Sequence, residues 1–164
     1  MKTLILIRHA KSSWTDLSIT DFERTLNDRG KHDAPIMAER IKKNIPLIDA
    51  FVASTAKRAR KTAKLFMKVY GEKENKLIEE ASLYEAPMQQ YYRVIEKLDN
   101  SFNTVAIFAH NPGITDFVNS LDCTPVYNMP TCGVYAIEID IDDWSDFEAG
   151  AKRLLFFDYP KNED

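Results

Sequence analysis

The amino-acid sequence predicts a single α/β domain over residues 1–164, with helices packed on a mostly parallel sheet. Short apolar segments bounded by polar residues alternate along the chain with longer segments in which apolar residues recur at helical spacing. This order is typical of layered α/β proteins, in which helices cover the faces of a sheet. The chain has 164 residues, 45% of them hydrophobic, which is enough for one core and fits one compact domain.

The first strand is predicted at Thr3–Ile7, a run of leucines and isoleucines that is typical of a strand buried on both faces. It ends directly in Arg8 and His9. The first helix is predicted at Asp33–Ile45, where apolar residues recur at helical spacing with lysines and glutamates between them. The chain therefore opens with a strand whose carboxyl end carries a guanidinium and an imidazole.

A second strand and helix repeat this pattern. The strand is predicted at Ala50–Ser54, and a helical face follows through a lysine- and arginine-rich segment to near Gly71. Ser54 and Thr55 are candidate caps for that helix, because their hydroxyls can accept hydrogen bonds from amides of its first turn. The last strand in the chain is a candidate antiparallel edge strand. The remaining predicted elements are a short strand at Lys76–Leu83, a helix at Met88–Leu98, a strand at Thr104–Ala109, a helix at Gly113–Leu121, and strands at Gly133–Ile139 and Arg153–Tyr159.

Composition and charge exclude several classes of protein. The net charge of −3 gives no overall attraction to nucleic acid or to anionic lipid. No apolar run approaches the roughly 18 residues that span a bilayer, and the N-terminus becomes charged too soon for a signal peptide. Cys123 and Cys132 lack the CxxC spacing of redox or zinc sites and are predicted to be reduced thiols. We therefore expect a cytoplasmic protein with no nucleic-acid or membrane partner.

Charged and imidazole side chains follow three of the predicted strands. Arg8 and His9 end the first strand, Arg58 comes just after the second, and His110 ends a later one. Because the carboxyl ends of parallel strands meet at one edge of a sheet, we expect these side chains to gather there. Guanidiniums stay protonated at working pH and offer forked donors that match phosphoryl oxygens. The sequence therefore predicts a phosphate-binding pocket.

The chemistry expected of this pocket is phosphoryl transfer through a histidine. The imidazole of His9 can attack phosphorus and then release the phosphoryl group to water, which divides one hard displacement into two easier ones. Arg8, Arg58 and His110 would stabilise the charge of the transferring group. The sequence has no HExxH or HxH pair, no aspartate-rich strand end and no Walker sequence, so neither a metal nor a cofactor is expected.

The same histidines and basic residues also have structural explanations. A histidine at the end of a strand is more often structural than catalytic, and periodicity alone does not distinguish the two. The basic run Lys57–Lys61 would, by itself, most often be a solvated helix start or a weak nucleic-acid patch. His32 lies among charged residues near a helix start, which favours a surface position.

Three sequence blocks resemble a known family. Leu6–Ala10 carries an Arg-His-Ala step after a strand, and Leu26 and Gly30 resemble the Leu-Thr-x-x-Gly segment that follows it in that family. Ser54–Thr62 resembles its Ser-Pro-x-x-Arg-x-x-x-Thr block, and Phe108–Gly113 resembles its last motif, which ends a strand in histidine. The family is the histidine phosphatase superfamily, the phosphoglycerate-mutase-like group. The blocks stand in the family's order over about two thirds of the chain.

The resemblance implies a phosphoglycerate-mutase-like layered fold and a phosphatase that works through a phosphohistidine intermediate. It places Arg58 in the pocket and leaves Arg60 outside the pattern. The site residues that it implies are His9, Arg8, Arg58 and His110 for catalysis, and Lys11, Ser12 and Asn111 for substrate binding.

The forms RHAKSSW, DFERTLNDRG and HNPG, together with the short chain, are most similar to the SixA-type branch of small phosphohistidine phosphatases. That branch lacks the insertions that cap the site in phosphoglycerate mutases, so an open site without a large cap insertion is implied. The implied partner is a phosphorylated protein that carries phosphohistidine. The alternatives are a small phosphorylated metabolite as substrate and, less favoured, a phosphate-binding module without turnover.

Two positions depart from the family pattern. Thr55 replaces the common proline of the second block. Most members also have a carboxylic general acid after the third strand, and the nearest match here is Glu85, with Glu80 before it. SixA-type members often lack this acid, which suits phosphohistidine because an imidazole needs less help to leave than an alkoxide. Glu85 is therefore a candidate general acid whose role depends on the substrate.

Overall fold

The computed structural model describes residues 1–162 and contains a six-stranded sheet covered by helices on both faces. The strands are β1 (Lys2–Arg8), β2 (Ala50–Ala53), β3 (Ile78–Glu79), β4 (Thr104–Ala109), β5 (Val134–Ile139) and β6 (Lys152–Asp158). The helices are α1 (Asp28–Asn44), α2 (Lys57–Val69), α3 (Met88–Glu96) and α4 (Gly113–Asn119).

The strand order is β3-β2-β4-β1-β5-β6. The pairs β2–β3, β2–β4 and β1–β4 are parallel, whereas β5 runs antiparallel to both of its neighbours. The mostly parallel α/β fold predicted from the sequence is confirmed. The last strand is an edge strand paired antiparallel to its neighbour, but the strand that reverses direction relative to β1 is β5. The carboxyl ends of β1, β2 and β4 open at one edge of the sheet.

Alternate side chains of β1 enter two separate cores, as expected for a strand covered on both faces. Leu4 and Leu6 pack with the core under α3 and α4, and Ile5 and Ile7 pack with the core under α1 and α2. All four are fully buried. This central strand therefore holds its C-terminal residues at a fixed position between the two helical layers.

Helix α1 begins at Asp28, earlier than the Asp33 predicted from the apolar spacing. Asn27 is the N-cap, and its side chain accepts a hydrogen bond from the amide of Gly30 at 2.9 Å. The Gly30 backbone lies directly against the carbonyl of Lys11, and a Cβ at this position would collide with that oxygen. The start of the helix could not be predicted from apolar spacing because its first turn is polar. This first turn packs against the segment that follows His9.

The predicted hydroxyl caps of α2 are wrong. The N-cap is Ala56, and no side chain among residues 1–162 caps this helix. Ser54 instead accepts from the amide of Ala56 at 3.2 Å and pairs with His110. The short strand expected at Lys76–Leu83 is reduced to Ile78–Glu79, because the residues on either side form 3₁₀ turns.

No helix in residues 1–162 is long and apolar enough to cross a membrane. Cys123 and Cys132 are free thiols, and Cys132 is buried.

Candidate active site

The side chains predicted to form a pocket meet at the carboxyl ends of β1, β2 and β4. Arg8 is the last residue of β1 and His9 follows it, His110 follows β4, and Arg58 lies in the first turn of α2. They border a cavity of about 520 Å³. The residues that line it are Arg8, His9, Lys11, Ser12, Trp14, Asp21, Arg24, Arg58, Tyr84, Glu85, His110, Asn111 and Thr131.

His9 is buried, and its two ring nitrogens have different surroundings. Nδ1 lies 2.7 Å from the carbonyl oxygen of Ala10, a contact in which the neutral ring donates from Nδ1. Nε2 then carries the lone pair, which accepts a hydrogen bond from Nε of Arg58 at 3.4 Å. The backbone thereby favours the tautomer in which Nε2 carries the lone pair beside the arginine-lined cavity.

Thr62 connects His9 to helix α2. Its hydroxyl accepts from the amide of Ala10 at 3.0 Å and donates to the carbonyl of Arg58 at 2.8 Å. Thr62 is fully buried. This bridge fixes the end of β1 against the first turn of α2, so that His9 and Arg58 keep a constant separation.

The two histidines of the pocket are close together, with ring centroids 5.2 Å apart. Burial, then the charges of His110, Arg58 and Arg8, lower the pKa of His9 to about 3, against the contact with Ala10. Burial and the charge of Arg58 lower the pKa of His110 to about 3 as well. Both rings are therefore neutral near pH 7, the form in which His9 can attack.

His110 is held by one contact with the neighbouring strand. Its Nε2 lies 2.8 Å from the hydroxyl of Ser54, which follows β2. Its Nδ1 is buried without a hydrogen-bond partner among the described residues. The rings of Tyr84 and His110 pack in a T-shaped arrangement with a centroid separation of 5.7 Å. The ring is thus fixed beside His9 with one nitrogen uncommitted.

The two terminal nitrogens of Arg58, which form the fork of its guanidinium, are already hydrogen-bonded within the protein. Nη1 donates to the carbonyl of Asp21 at 2.7 Å, and Nη2 donates to its carboxylate at 3.0 Å. Only Nε remains on the side of His9. The forked contact to a phosphoryl group expected from the sequence is therefore occupied by Asp21 in this structure, while Arg8 uses one terminal nitrogen on the carbonyl of Met129 at 2.8 Å.

The structure adds a third arginine that sequence reasoning missed. Arg24 is buried and donates to the hydroxyl of Ser12 and, at 3.1 Å, to the carboxylate of Asp21. Its guanidinium carbon lies 3.6 Å from the centroid of the Trp14 ring. Its sequence signal is its place in DFERTLNDRG, where no periodicity or strand end marks it as a pocket residue.

Asp21 is the centre of this network and was also missed. Tyr84 donates its hydroxyl to the Asp21 carboxylate at 2.6 Å. Partial burial opposes ionisation, but the hydrogen bonds from Tyr84 and Arg24 and the charge of Arg58 hold the pKa of Asp21 well below its ordinary value. The hydrogen bond to Asp21, followed by partial burial, raises the pKa of Tyr84 to about 12. Asp21 is thus an anion shared by two arginines.

The remaining predicted site residues all line the cavity, in different ways. Ser12 is buried and engaged by Arg24, whereas Lys11 and Glu85 are exposed. The amide of Asn111 donates to the carbonyl of Met129 at 3.1 Å, and its oxygen accepts from Thr115 at 2.5 Å. Asn111 therefore holds the loop around it together. His32 is exposed on α1, and Arg60 binds the Thr55 carbonyl and Glu79 outside the cavity.

Among residues 1–162, no three His, Cys, Asp or Glu side chains are grouped so that they could hold a metal ion. The positive charge of the cavity comes from its guanidiniums, with Lys11 at the rim.

Comparisons with known proteins agree with this fold. The model of the histidine phosphatase superfamily (branch 1) matches residues 4–99. An uncharacterised protein of Mycobacterium tuberculosis is 26% identical over 174 residues, which cover 94% of this chain and 100% of that protein.

Two solved structures have the same fold. A protein of Agrobacterium tumefaciens assigned as phosphohistidine phosphatase SixA superposes with a TM-score of 0.81 at 23% identity, over 97% of this chain and 98% of that one. A mycobacterial glucosyl-3-phosphoglycerate phosphatase, solved with VO3, superposes with a TM-score of 0.74 at 15% identity, over 97% and 100%. The chain is a member of the histidine phosphatase superfamily, with a SixA-like fold.

Proposed function

We propose that this protein is a phosphohistidine phosphatase that acts on a phosphorylated protein through a covalent intermediate on Nε2 of His9. The observation that carries the proposal is the geometry of His9. Its Nδ1 is committed to the backbone at 2.7 Å, and its Nε2 faces an arginine in a cavity that Arg8, Arg24 and Arg58 border. A neutral imidazole in this setting is both nucleophilic and surrounded by positive charge.

In the first step, the lone pair of His9 Nε2 attacks the phosphorus atom. The second ring nitrogen of the substrate imidazole takes a proton from solvent, so the bond between phosphorus and the first nitrogen breaks with its electron pair going to a neutral imidazole, while His9 keeps its own proton on Nδ1. The guanidiniums offset the charge on the equatorial oxygens, which supplies most of the rate in phosphoryl transfer. Arg58 contributes through Nε while Asp21 holds its fork.

In the second step, water attacks the phosphorus atom of phosphorylated His9. The bond to Nε2 breaks, its electron pair returns to the ring, and inorganic phosphate leaves. A phosphoimidazole is a good phosphoryl donor, so the step needs less help than hydrolysis of an ester. The net reaction consumes one phosphohistidine and one water and produces histidine and phosphate.

The ionisation of the cavity supports phosphohistidine as the substrate. An alkyl phosphate needs a proton on its departing oxygen, whereas imidazole leaves with less assistance. His110 is neutral, Asp21 is an anion, and the pKa of Tyr84 is about 12, so none of the three is a ready acid near pH 7. The fold similarity to the SixA protein of Agrobacterium tumefaciens is consistent with this substrate class.

The alternative is a small phosphorylated metabolite. It is favoured by Glu85, whose exposed carboxylate lines the cavity and could protonate an alkoxide, and by the fold shared with the mycobacterial glucosyl-3-phosphoglycerate phosphatase. A phosphate-binding module without turnover is less favoured, because such a module would not need a histidine held in one tautomer at the cavity.

The test compares dephosphorylation of a phosphohistidine-carrying protein with hydrolysis of a panel of phosphorylated metabolites. We expect the phosphoprotein to react best, activity to survive chelation, and vanadate to inhibit as a mimic of the trigonal transition state. His9→Ala should lose nearly all turnover, whereas His32→Ala, on the surface of α1, should keep it. Retention of more than about a tenth of the activity in His9→Ala would rule out the covalent mechanism. Preference for a metabolite would favour the alternative.

A further inference from the structure

Trp14 stands at the rim of the catalytic cavity with most of its surface in solvent. It lines the same cavity as His9, Arg58 and His110, yet 68% of its surface is exposed. A large aromatic side chain that lines a polar cavity and stays solvent-accessible is a candidate contact for a ligand.

The Trp14 ring is held in place from one side. The Arg24 guanidinium lies over it at 3.6 Å, and that arginine is buried and bound to Ser12 and Asp21. The backbone just before Trp14 is tied to the residues just after Arg24, because Ser12 pairs with Leu26 and the amide of Ser13 donates to the carbonyl of Thr25 at 2.8 Å. An indole restrained in this way loses little conformational freedom when it binds a ligand.

Trp14 is connected to the reacting centre through charged groups. Arg24 contacts Asp21 at 3.1 Å, Asp21 contacts Arg58 at 3.0 Å, and Nε of Arg58 faces His9. A phosphoryl group placed at His9 therefore has its leaving group in a cavity that has an indole on its rim. A leaving group with a planar ring could stack on this indole, whereas a leaving group without a ring could not.

We propose that Trp14 is a specificity-determining residue that stacks on a planar leaving group, such as the imidazole of phosphohistidine. This inference rests on the proposed function and deepens it, because it explains how one activated phosphoryl donor is preferred over another. Arg24 has two roles in this arrangement: its charge faces the phosphoryl pocket, and its guanidinium orients the indole.

The test uses two small phosphoryl donors, of which only one has a ring in its leaving group. Phosphoimidazole carries a planar leaving group, whereas acetyl phosphate is also activated but has none. Both donors produce the same phosphorylated His9, so the difference in kcat/KM reports the first step and not its hydrolysis. We expect Trp14→Leu to lower the kcat/KM ratio of phosphoimidazole to acetyl phosphate about fivefold, the size of a typical aromatic contact.

Two further variants sharpen the result. Trp14→Phe keeps a ring and should retain most of the ratio. Leu17→Ala is the matched control, since Leu17 lies in the same segment, is 89% exposed and does not line the cavity. An unchanged ratio in Trp14→Leu, or the same change in Leu17→Ala, would overturn the role of Trp14 and leave the proposed function intact. Failure of the wild-type protein to hydrolyse phosphoimidazole would instead overturn the proposed function and the inference that rests on it.

Discussion

His9 shows how one backbone contact and burial together decide the chemistry of a side chain. The carbonyl of Ala10 takes the proton of Nδ1, and the cationic, buried surroundings keep the ring neutral. An exposed histidine would be partly protonated near pH 6.5, and its nucleophilic form would be depleted there. In the folded protein His9 therefore stays in the neutral form near pH 6.5, and two imidazoles are buried without charge.

The burial of two neutral imidazoles should make the free energy of unfolding depend on pH. Since the pKa values of His9 and His110 are about 3 in the folded protein and 6.5 ordinarily, the unfolded chain binds more protons between these values. The free energy of unfolding should therefore fall as pH drops below 6.5, by at most about 1.4 kcal/mol per pH unit for each histidine. Urea unfolding between pH 7.5 and about 4.5 measures this, because the ordinary pKa of Asp21 is 3.8 and it contributes little in that window.

The control is the double variant His9→Gln/His110→Gln, which lacks both groups. Its free energy of unfolding should depend less steeply on pH over the same window. Equal slopes for the variant and the wild type would contradict buried neutral histidines.

Arg58 and Arg60 are two residues apart and have different surroundings, which makes them a matched pair. Arg58 is buried between Asp21 and His9, whereas Arg60 binds the Thr55 carbonyl and Glu79 on the outer side of α2. Arg58→Ala should cost about 2–4 kcal/mol of transition-state stabilisation, the usual value for a charged donor in such a site, and Arg60→Ala should cost far less. The ratio of kcat/KM values for the two variants measures the difference, and equal effects would mean that Arg58 is not the pocket arginine.

At the scale of elements, the segment between β1 and α1 determines the shape of the site. It supplies Trp14, Asp21 and Arg24, and it is closed by the packing of Gly30 on the backbone of Lys11. The site residues at the ends of β1 and β4 and in the first turn of α2 could be predicted from the sequence, because apolar runs and helical spacing mark those ends. The later part of the segment, with Asp21 and Arg24, could not, because it has no periodicity and its contacts to Arg58 and Tyr84 form only when distant parts of the chain meet.

Asp21 is predicted to act as a positioning residue for Arg58 and Arg24. Asp21→Asn keeps the size of the side chain but removes the charge that the two guanidiniums share, so the contact of Arg58 Nη2 should weaken while Nη1 stays on the backbone carbonyl. We expect kcat/KM for phosphohistidine to fall roughly tenfold, a moderate effect because Asp21 is 46% exposed. Asp21→Glu should recover part of the loss. If kcat/KM is unchanged or increases in Asp21→Asn, the carboxylate competes with the substrate for Arg58 and does not position it.

For the whole molecule, the fold follows from the alternation of strands and helices, and its family follows from the three sequence blocks. The direction of β5 could not be predicted, because an apolar strand of the same composition fits a sheet in either direction. The substrate is likewise a property of the complete cavity and not of any one motif. The prediction that separates the two substrate classes concerns Glu85, which lies at the cavity with a left-handed backbone φ of 53°.

If Glu85 is a general acid, Glu85→Gln should slow hydrolysis of alkyl phosphates by roughly a hundredfold or more and barely affect phosphohistidine, because only the alkoxide must be protonated as it leaves. Our proposal predicts the other outcome, nearly unchanged kcat/KM for every substrate, since the carboxylate is exposed and phosphohistidine needs no acid. The measurement compares kcat/KM of wild type and variant on an alkyl phosphate, an activated aryl phosphate and a phosphohistidine protein. A large loss that grows with the pKa of the leaving group would assign the acid to Glu85 and make an ordinary phosphate ester the substrate of this protein.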